Sequence, residues 1–296
     1  MNLICVMIFS LFVSRPALQD TVITVTDTTD TIISASLQDT NRTVNILQMQ
    51  DSCSTEEDTL FVVPDSLKLK NTSFGTGEEL VFEIRYGFIK AGRAVMSIPD
   101  MQTVKGRFCY HVVTTAESNK FISTFFKVRD RVETYIDAEG YFPWKFYKRI
   151  REGHYKSDKY VEYDQRKNIV IENKKDTLKV NPFVQGVLSS FYYTRLKNLK
   201  PGTYFDIDNY GDGKLYPLRV LVHKKETIKV PAGKFKCIVV EPVMRVEGIF
   251  KQKGKLKIWL TDDSMRIPVL MKSKSLIGSV NVTLIKYKKA GSVKKK

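Results

Sequence analysis

From Leu80 onward the chain alternates. Leu80, Phe82, Ile84 and Tyr86 fall on one side of an extended backbone, while Val81, Glu83 and Arg85 fall on the other. After a turn at Gly87, the row Ala94, Met96 and Ile98 resumes the pattern. A period of two marks a strand with one face against a core, so the segment predicts a hairpin. The same reading predicts strands at 107–116, 128–137, 144–150, 155–164 and 168–172, then at 203–209, 214–223, 227–230, 235–246, 255–261, 268–275 and 280–288. Turn chemistry at Gly211-Asp212-Gly213 and Pro231-Ala232-Gly233-Lys234 separates several of them. One segment breaks the period. Between Pro182 and Lys197, the residues Phe183, Val187, Leu188, Phe191, Tyr192 and Leu196 recur at helical spacing. Pro182 suits a first helical turn, and Lys200-Pro201-Gly202 stops the helix. The pattern predicts an all-β, mainly antiparallel domain, strongly curved or barrel-like, with one packed helix near 183–196.

What precedes the alternation is of another kind. Met1 to Val13 is almost wholly apolar, too short for the ~20 residues of a membrane span, and fits the apolar core of a secretory signal. It lacks a basic n-region and a tidy small-x-small site before Gln19. Residues 20–58 are dominated by Thr, Asp, Ser, Asn and Gln, the composition of a disordered or extended tether. Within it, Asp20-Thr21-Val22, Asp27-Thr28-Thr29, Asp30-Thr31-Ile32 and Asp58-Thr59-Leu60 repeat an acid, a hydroxyl and a small or apolar residue, as does Asp65-Ser66-Leu67 further on. The repeat resembles the O-glycosylation acceptor of exported Bacteroidetes proteins, although a Thr/Asp-rich tract yields such triplets by composition alone. The organisation expected is a signal peptide over 1–19, an acidic tether over 20–72, a β domain over 73–288 and a basic tail over 289–296.

Charge sharpens the division. Residues 20–72 carry nine acids against three bases, and the whole chain is +16, which leaves +21 on residues 73–296. A domain this basic attracts lipid headgroups, acidic glycans or nucleic acid, and export makes nucleic acid the least expected partner. Lys-rich outer strands also discourage edge-to-edge pairing, which is reason enough for some of the charge. Of the four cysteines, Cys5 lies in the signal segment and Cys53 in the tether, while Cys109 and Cys237 sit in strand-like runs. Buried free thiols are the expectation for these last two, with a disulfide between them left open.

No run of residues carries a recognisable reaction. Asp206-Ile207-Asp208-Asn209-Tyr210-Gly211-Asp212-Gly213 has the look of a calcium loop, but Tyr210 stands at position five and Pro217 at position twelve, so a hairpin turn is the reading. His111, His154 and His223 have no ligand spacing. No Gly-x-Ser-x-Gly elbow or phosphate-cradling loop is present, and no cofactor is expected. The segment 128–133 stands out. If Val128 and Val132 face the core, Asp130 faces it too, while Arg129, Arg131 and Glu133 point outward. A core-facing carboxylate needs a cation or several donors, or its pKa rises. Arg129, Asp130, Arg131, Glu133 and Trp144 are therefore the candidate ligand-binding residues, with a buried structural ion pair as the alternative for Asp130 and a core position as the alternative for Trp144.

Several short motifs carry a family likeness. They are Gly77-Glu78-Glu79-Leu80, Glu83-Ile84-Arg85-Tyr86-Gly87 leading to Ala91-Gly92, Val128-Arg129-Asp130 with Glu133, and Phe183 to Arg195. They continue in Val230-Pro231-Ala232-Gly233-Lys234-Phe235-Lys236-Cys237, Ile258-Trp259-Leu260 and Arg266-Ile267-Pro268-Val269. Over residues 74–287 the chain resembles an exported bacterial family defined as a domain of unknown function, DUF3108. The resemblance implies an envelope-facing β domain and lends no reaction. The function expected is an exported, periplasmic or envelope, non-catalytic binding protein: a carrier of an amphiphile such as a lipid or lipid-linked glycan, its basic exterior held near a membrane surface. The alternative is a structural or interaction module that contacts an anionic envelope polymer or a protein. A large enclosed apolar pocket favours the carrier, and a filled core favours the module.

Overall fold

The strand on which the alternation is clearest, β1 (Glu79–Tyr86), lies in the middle of a single 15-stranded sheet. The computed structural model describes residues 61–244, 255–275 and 278–291; the signal segment, residues 20–60 of the tether with its first four acid–hydroxyl triplets, Arg245–Val246 and the end of the tail lie outside the described residues. From β1 the chain steps outward through β2 (Ile89–Val104), β3 (Arg107–Ser118), β4 (Arg129–Asp137), β5 (Pro143–Glu152), β6 (Tyr155–Asp164), β7 (Ile169–Glu172) and β8 (Asp176–Lys179), each antiparallel to the last. It then crosses to the far edge at β9 (Gln185–Gly186), which pairs in parallel with β10 (Tyr204–Gly211). It returns through β11 (Lys214–Val230), β12 (Gly233–Met244), β13 (Lys255–Thr261) and β14 (Pro268–Ser275) to β15 (Gly278–Lys288), which pairs with the free side of β1.

The sheet curls but does not close. Its two outer regions approach through side chains: the Tyr210 hydroxyl donates to Glu172 at 2.8 Å, and Lys159 and Lys148 reach the Asp212 carboxylate at 3.0 and 3.3 Å. These contacts join β10 and its turn to strands near the opposite edge.

Between the helix α1 (Lys120–Phe125), which links β3 to β4, and the second helix α2 (Val187–Leu196), only α2 enters the curl. Leu188 and Tyr192 join the larger apolar cluster with Leu80, Phe82, Ile84, Val112 and Val132. Val187 and Phe191 join a second cluster with Leu218, Val220, Ile238, Val240 and Ile258. The helix therefore presses on both halves of the curled sheet, and Ser189, Ser190, Thr194 and Arg195 are buried as well. A helix wrapped on several sides has no wet face to alternate with a dry one.

The helix is shorter than its pattern predicts. Phe183 takes a left-handed φ of 60°, Gln185 and Gly186 pair with Asn209 and Tyr210, and the first helical residue is Val187. Tertiary pairing has overridden the proline signal at residue 182. Gly186 holds the start: its N–H donates to the Ser189 hydroxyl at 2.9 Å, and a Cβ there would lie 2.5 Å from the hydroxyl of the buried Tyr163. Gly92 is needed for the same reason, since its Cβ would lie 2.1 Å from the Glu117 carbonyl oxygen.

Other differences are local. The strands expected at 214–223 and 227–230 are one long strand, β11, whose register slips between Val222 and Lys225. Such an irregularity breaks the alternation and reads as a gap. The strand β8, exposed at all four positions, and the helix α1 carry too few core residues to announce themselves. Asp212 and Gly213 form the expected two-residue hairpin turn, both at positive φ, and Asp206 is held by Arg219 at 2.7 and 2.8 Å.

At the C-terminal end of α2, Arg195 is the largest charged group in the interior, 1% exposed. Its guanidinium donates to both Glu78 carboxylate oxygens at 2.8 and 2.7 Å and to the carbonyls of Ser73 and Met265 at 2.9 and 3.1 Å. The rings of Phe74 and Tyr192 lie 5.4 and 5.2 Å from it. Phe74 in turn meets Tyr192, Tyr110 and Tyr141 edge to face. The segment leading into β1, the helix and the β13–β14 turn are tied together at this one residue.

Candidate functional site

On β4, Val128 and Val132 are fully buried and Asp130 is buried between them, while Arg129 and Arg131 are exposed. Alternation thus sends Asp130 into the curl and its neighbours out. The five candidate residues do not form one site. Asp130 is opposite Ile150 across the β4–β5 ladder, and Trp144 lies six positions further along β5, about 20 Å at ~3.3 Å per residue. There the Trp144 indole donates to Asp137 at 2.9 Å, a carboxylate that also takes two bonds from Arg107 at 2.8 Å. Trp144 is a core residue that completes a structural ion pair.

Outside the curl, Glu133 belongs to a convex-face network. Its carboxylate accepts from Arg131 at 2.7 Å and lies 2.7 Å from His111, whose other ring nitrogen lies 3.0 Å from Asp100. The imidazole stacks on Tyr135 with ring centroids 4.7 Å apart. Arg131, together with His111, holds the Glu133 carboxyl below the usual carboxylate range in spite of desolvation, which is the largest influence and acts the other way. Arg129 turns instead to the carbonyls of Val128 and Ser118 at 2.6 and 3.2 Å. These bonds are those of a polar ladder on the outside of the sheet, and they use only Nε of Arg131 and Nη1 of Arg129.

Inside the curl, the chemistry is of a different sort. Asp130 accepts one backbone N–H, from Arg151 at 2.7 Å, and its second oxygen has no partner. Glu152, bridged to Val128 across the ladder and 2% exposed, has an unpartnered oxygen too. Burial pushes Asp130 up to about 6 and Glu152 up to about 7, because taking a carboxylate out of water penalises the charged form. Both acids hold protons at pH values where surface carboxyls have lost theirs. Asp130 was legible from strand phase; Glu152 was missed, since it closes a strand otherwise rich in Lys and Arg and gives no apolar signal around itself.

The two cysteines among the described residues are free and buried, as expected. Burial pushes each thiol up to about 12, so neither is a nucleophile at neutral pH. Two slots within the curl, one by Phe146, Tyr163, Val187 and Tyr210, the other by Phe191, Leu218, Val240 and Ile258, have volumes of about 20 and 10 Å³. Each has room for a single water at most. A wider space of about 540 Å³ is an open groove on the outside, lined by Lys68, Lys70, Arg107, Phe108, Glu139 and Tyr141 among others. Two of its three cations are already engaged: Lys68 with Asp65 and Glu139, Arg107 with Asp137 and Glu139.

Exposed aromatic residues are the feature that sequence reading passed over. Phe88, Phe121 and Phe125 are 88%, 67% and 78% exposed. Phe121 and Phe125 stand one turn apart on α1 and meet edge to face at 5.7 Å. The signal was present in Asn119, whose side chain accepts the Ile122 N–H at 2.9 Å as an N-cap, followed by aromatics four residues apart.

Comparison with known proteins fits this architecture. No curated protein matches the chain. The crystal structure of a beta-barrel-like protein of a domain of unknown function, DUF1849, from Brucella abortus is similar over 73% of this chain and 99% of that one, with a TM-score of 0.51 at 12% identity. At that identity the likeness concerns the fold alone, a curled barrel-like sheet. A hypothetical protein from Chlamydia trachomatis aligns over 75% of this chain and 91% of its own at 7% identity, and its TM-score of 0.33 carries nothing further. The model of the family Protein of unknown function (DUF3108) matches residues 81–285, from the first strand of the sheet to the last, and the chain belongs to that family.

Proposed function

We propose that this protein is an exported, non-catalytic module of the cell envelope that binds an anionic partner on its exterior and carries no cargo inside. The observation that carries this reading is the occupancy of the concave face. Helix α2, the Phe74 segment and the Arg195–Glu78 pair stand where an amphiphile's chains would lie in a carrier. The slots beside α2, one apolar and one also lined by Lys148, Lys159 and Asp212, are far below the roughly 300 Å³ at which small-molecule pockets begin. The net charge of +21 on residues 73–296 supports the sign of the partner, and the apolar start followed by an acidic tether supports export.

Native mass spectrometry of the full chain, extracted from the envelope of the producing cell, tests the proposal. The expected spectrum shows the bare polypeptide mass, with any covalent modification, under both gentle and denaturing conditions. A stoichiometric adduct that is held under gentle conditions and released on denaturation would restore the amphiphile carrier and identify its cargo.

A further inference from the structure

Three of the four strongly exposed phenylalanines among the described residues gather at one rim of the curled sheet; the fourth, Phe108, lies in the open groove at the other end of β3. The Asn119 backbone N–H donates to the Ala91 carbonyl at 2.9 Å, and its side-chain amide donates to the Lys90 carbonyl at 2.6 Å. These bonds hold the start of α1 beside the β1–β2 turn, so that Phe121 and Phe125 share a rim with Phe88 and Ile89. Ile122 and Phe126 take the inward positions and pack against the main core, leaving the other two rings of α1 turned out. Single apolar residues on a surface are unremarkable, but three phenylalanines at one rim need a partner that water does not supply.

The surroundings give that partner its charge. Lys120 and Lys127 flank α1 and are exposed, as are Lys90 and Arg93 on β2 and Arg129 at the start of β4. Four acids share these strand ends, and two of them, Asp130 and Glu152, are buried. Glu117 lies in register between Arg93 and Arg129, and Glu83 is bound by Lys90 at 2.5 Å and Arg85 at 2.7 Å. The cations outnumber the acids, and Lys120 and Lys127 bracket Phe121 and Phe125 along the chain. Rings that enter the headgroup layer with lysines at phosphate level are how peripheral proteins hold an anionic bilayer.

We infer that this rim docks the protein on an anionic lipid bilayer, with Phe88, Phe121 and Phe125 inserted at the interface and Lys120 and Lys127 against lipid phosphates. The inference rests on the exterior-binding reading above and names the partner as a membrane surface. A soluble acidic polymer would match the charge but would leave the rings in water.

Sedimentation of the full chain with phosphatidylcholine vesicles, with and without phosphatidylglycerol, tests it. The chain is expected to bind the anionic vesicles. The double variant Phe121→Ser with Phe125→Ser, and separately Lys120→Glu with Lys127→Glu, should each weaken that binding by about tenfold, with unchanged circular dichroism. All variants retain the apolar N-terminus, so the differences between them report on the rim. A second measurement reads the rim directly: Phe121→Trp should shift to shorter emission wavelength and be quenched when brominated anionic lipid is added. Equal vesicle binding by all variants together with an unshifted Trp would overturn the inference. Binding to soluble alginate without binding to vesicles would also overturn it while leaving exterior anion binding standing; a releasable internal cargo would instead defeat the exterior reading itself.

Discussion

Replacing Arg195 with methionine is expected to lower the unfolding free energy by about 3–5 kcal/mol. The change removes a cation that is bonded to both Glu78 oxygens and two backbone carbonyls in the middle of the interior, 1% exposed. What it leaves behind sets the magnitude: a buried Glu78 carboxyl with no counter-charge, and two carbonyls with one donor fewer. The rings of Phe74 and Tyr192 lie against the guanidinium, so it is packed as well as bonded. Removing both ends of the pair, Arg195→Met with Glu78→Leu, should cost less than the sum of the single changes, because no orphaned charge remains. Urea unfolding followed by the buried Trp144 measures this. A loss below about 1 kcal/mol for Arg195→Met would mean that the pair is not a structural tie.

Glu152→Gln is expected to act in the opposite direction, raising stability on the order of 2–3 kcal/mol at pH 8 and by nothing at pH 4. Burial pushes the Glu152 carboxyl up to about 7 when folded, from the ordinary value of 4.5 in the unfolded chain. Between those values the unfolded state sheds the proton that the folded state keeps. The wild-type protein therefore loses stability as pH rises through this window, and above it carries the full cost of a buried charge. Glutamine keeps the shape and removes the titration. Asp130, raised to about 6, adds a second and smaller slope of the same sign. Thermal unfolding of both proteins from pH 4 to pH 8 should show curves that meet at the acid end and separate toward neutrality. Parallel curves would show that Glu152 is ionised in a site more polar than its partners indicate.

The architecture was legible because most strands are long and pack one clean face. Leu80, Phe82 and Ile84 sit in the core as their spacing requires, and the same phase placed Asp130 inside. The losses have physical causes. The helix lost its first turn to a two-residue parallel pairing that only the assembled β10 can offer. A register slip disguised β11 as two strands. The candidate set at 129–133 was a run in sequence, but a strand sends consecutive residues to opposite faces, so Asp130 and Glu133 belong to separate environments. Trp144, the fifth candidate, sits a strand's length away in the core. The period of two could find neither Glu152 nor the rim of Phe88 and Phe121. One is a charged residue in the core and the others are apolar residues outside it, and each contradicts the pattern by which strands are read.

The claim on which the rest depends is that α2 fills the curled sheet and stays there. Hydrogen exchange at the amides of residues 191–196, with and without anionic vesicles or a soluble amphiphile, tests it most directly. These amides should exchange as slowly as those of β1 and β3, opening only when the whole domain unfolds, and added lipid should leave their rates unchanged. Fast exchange induced by the amphiphile would show the helix leaving the curl to admit a cargo, and would contradict the account.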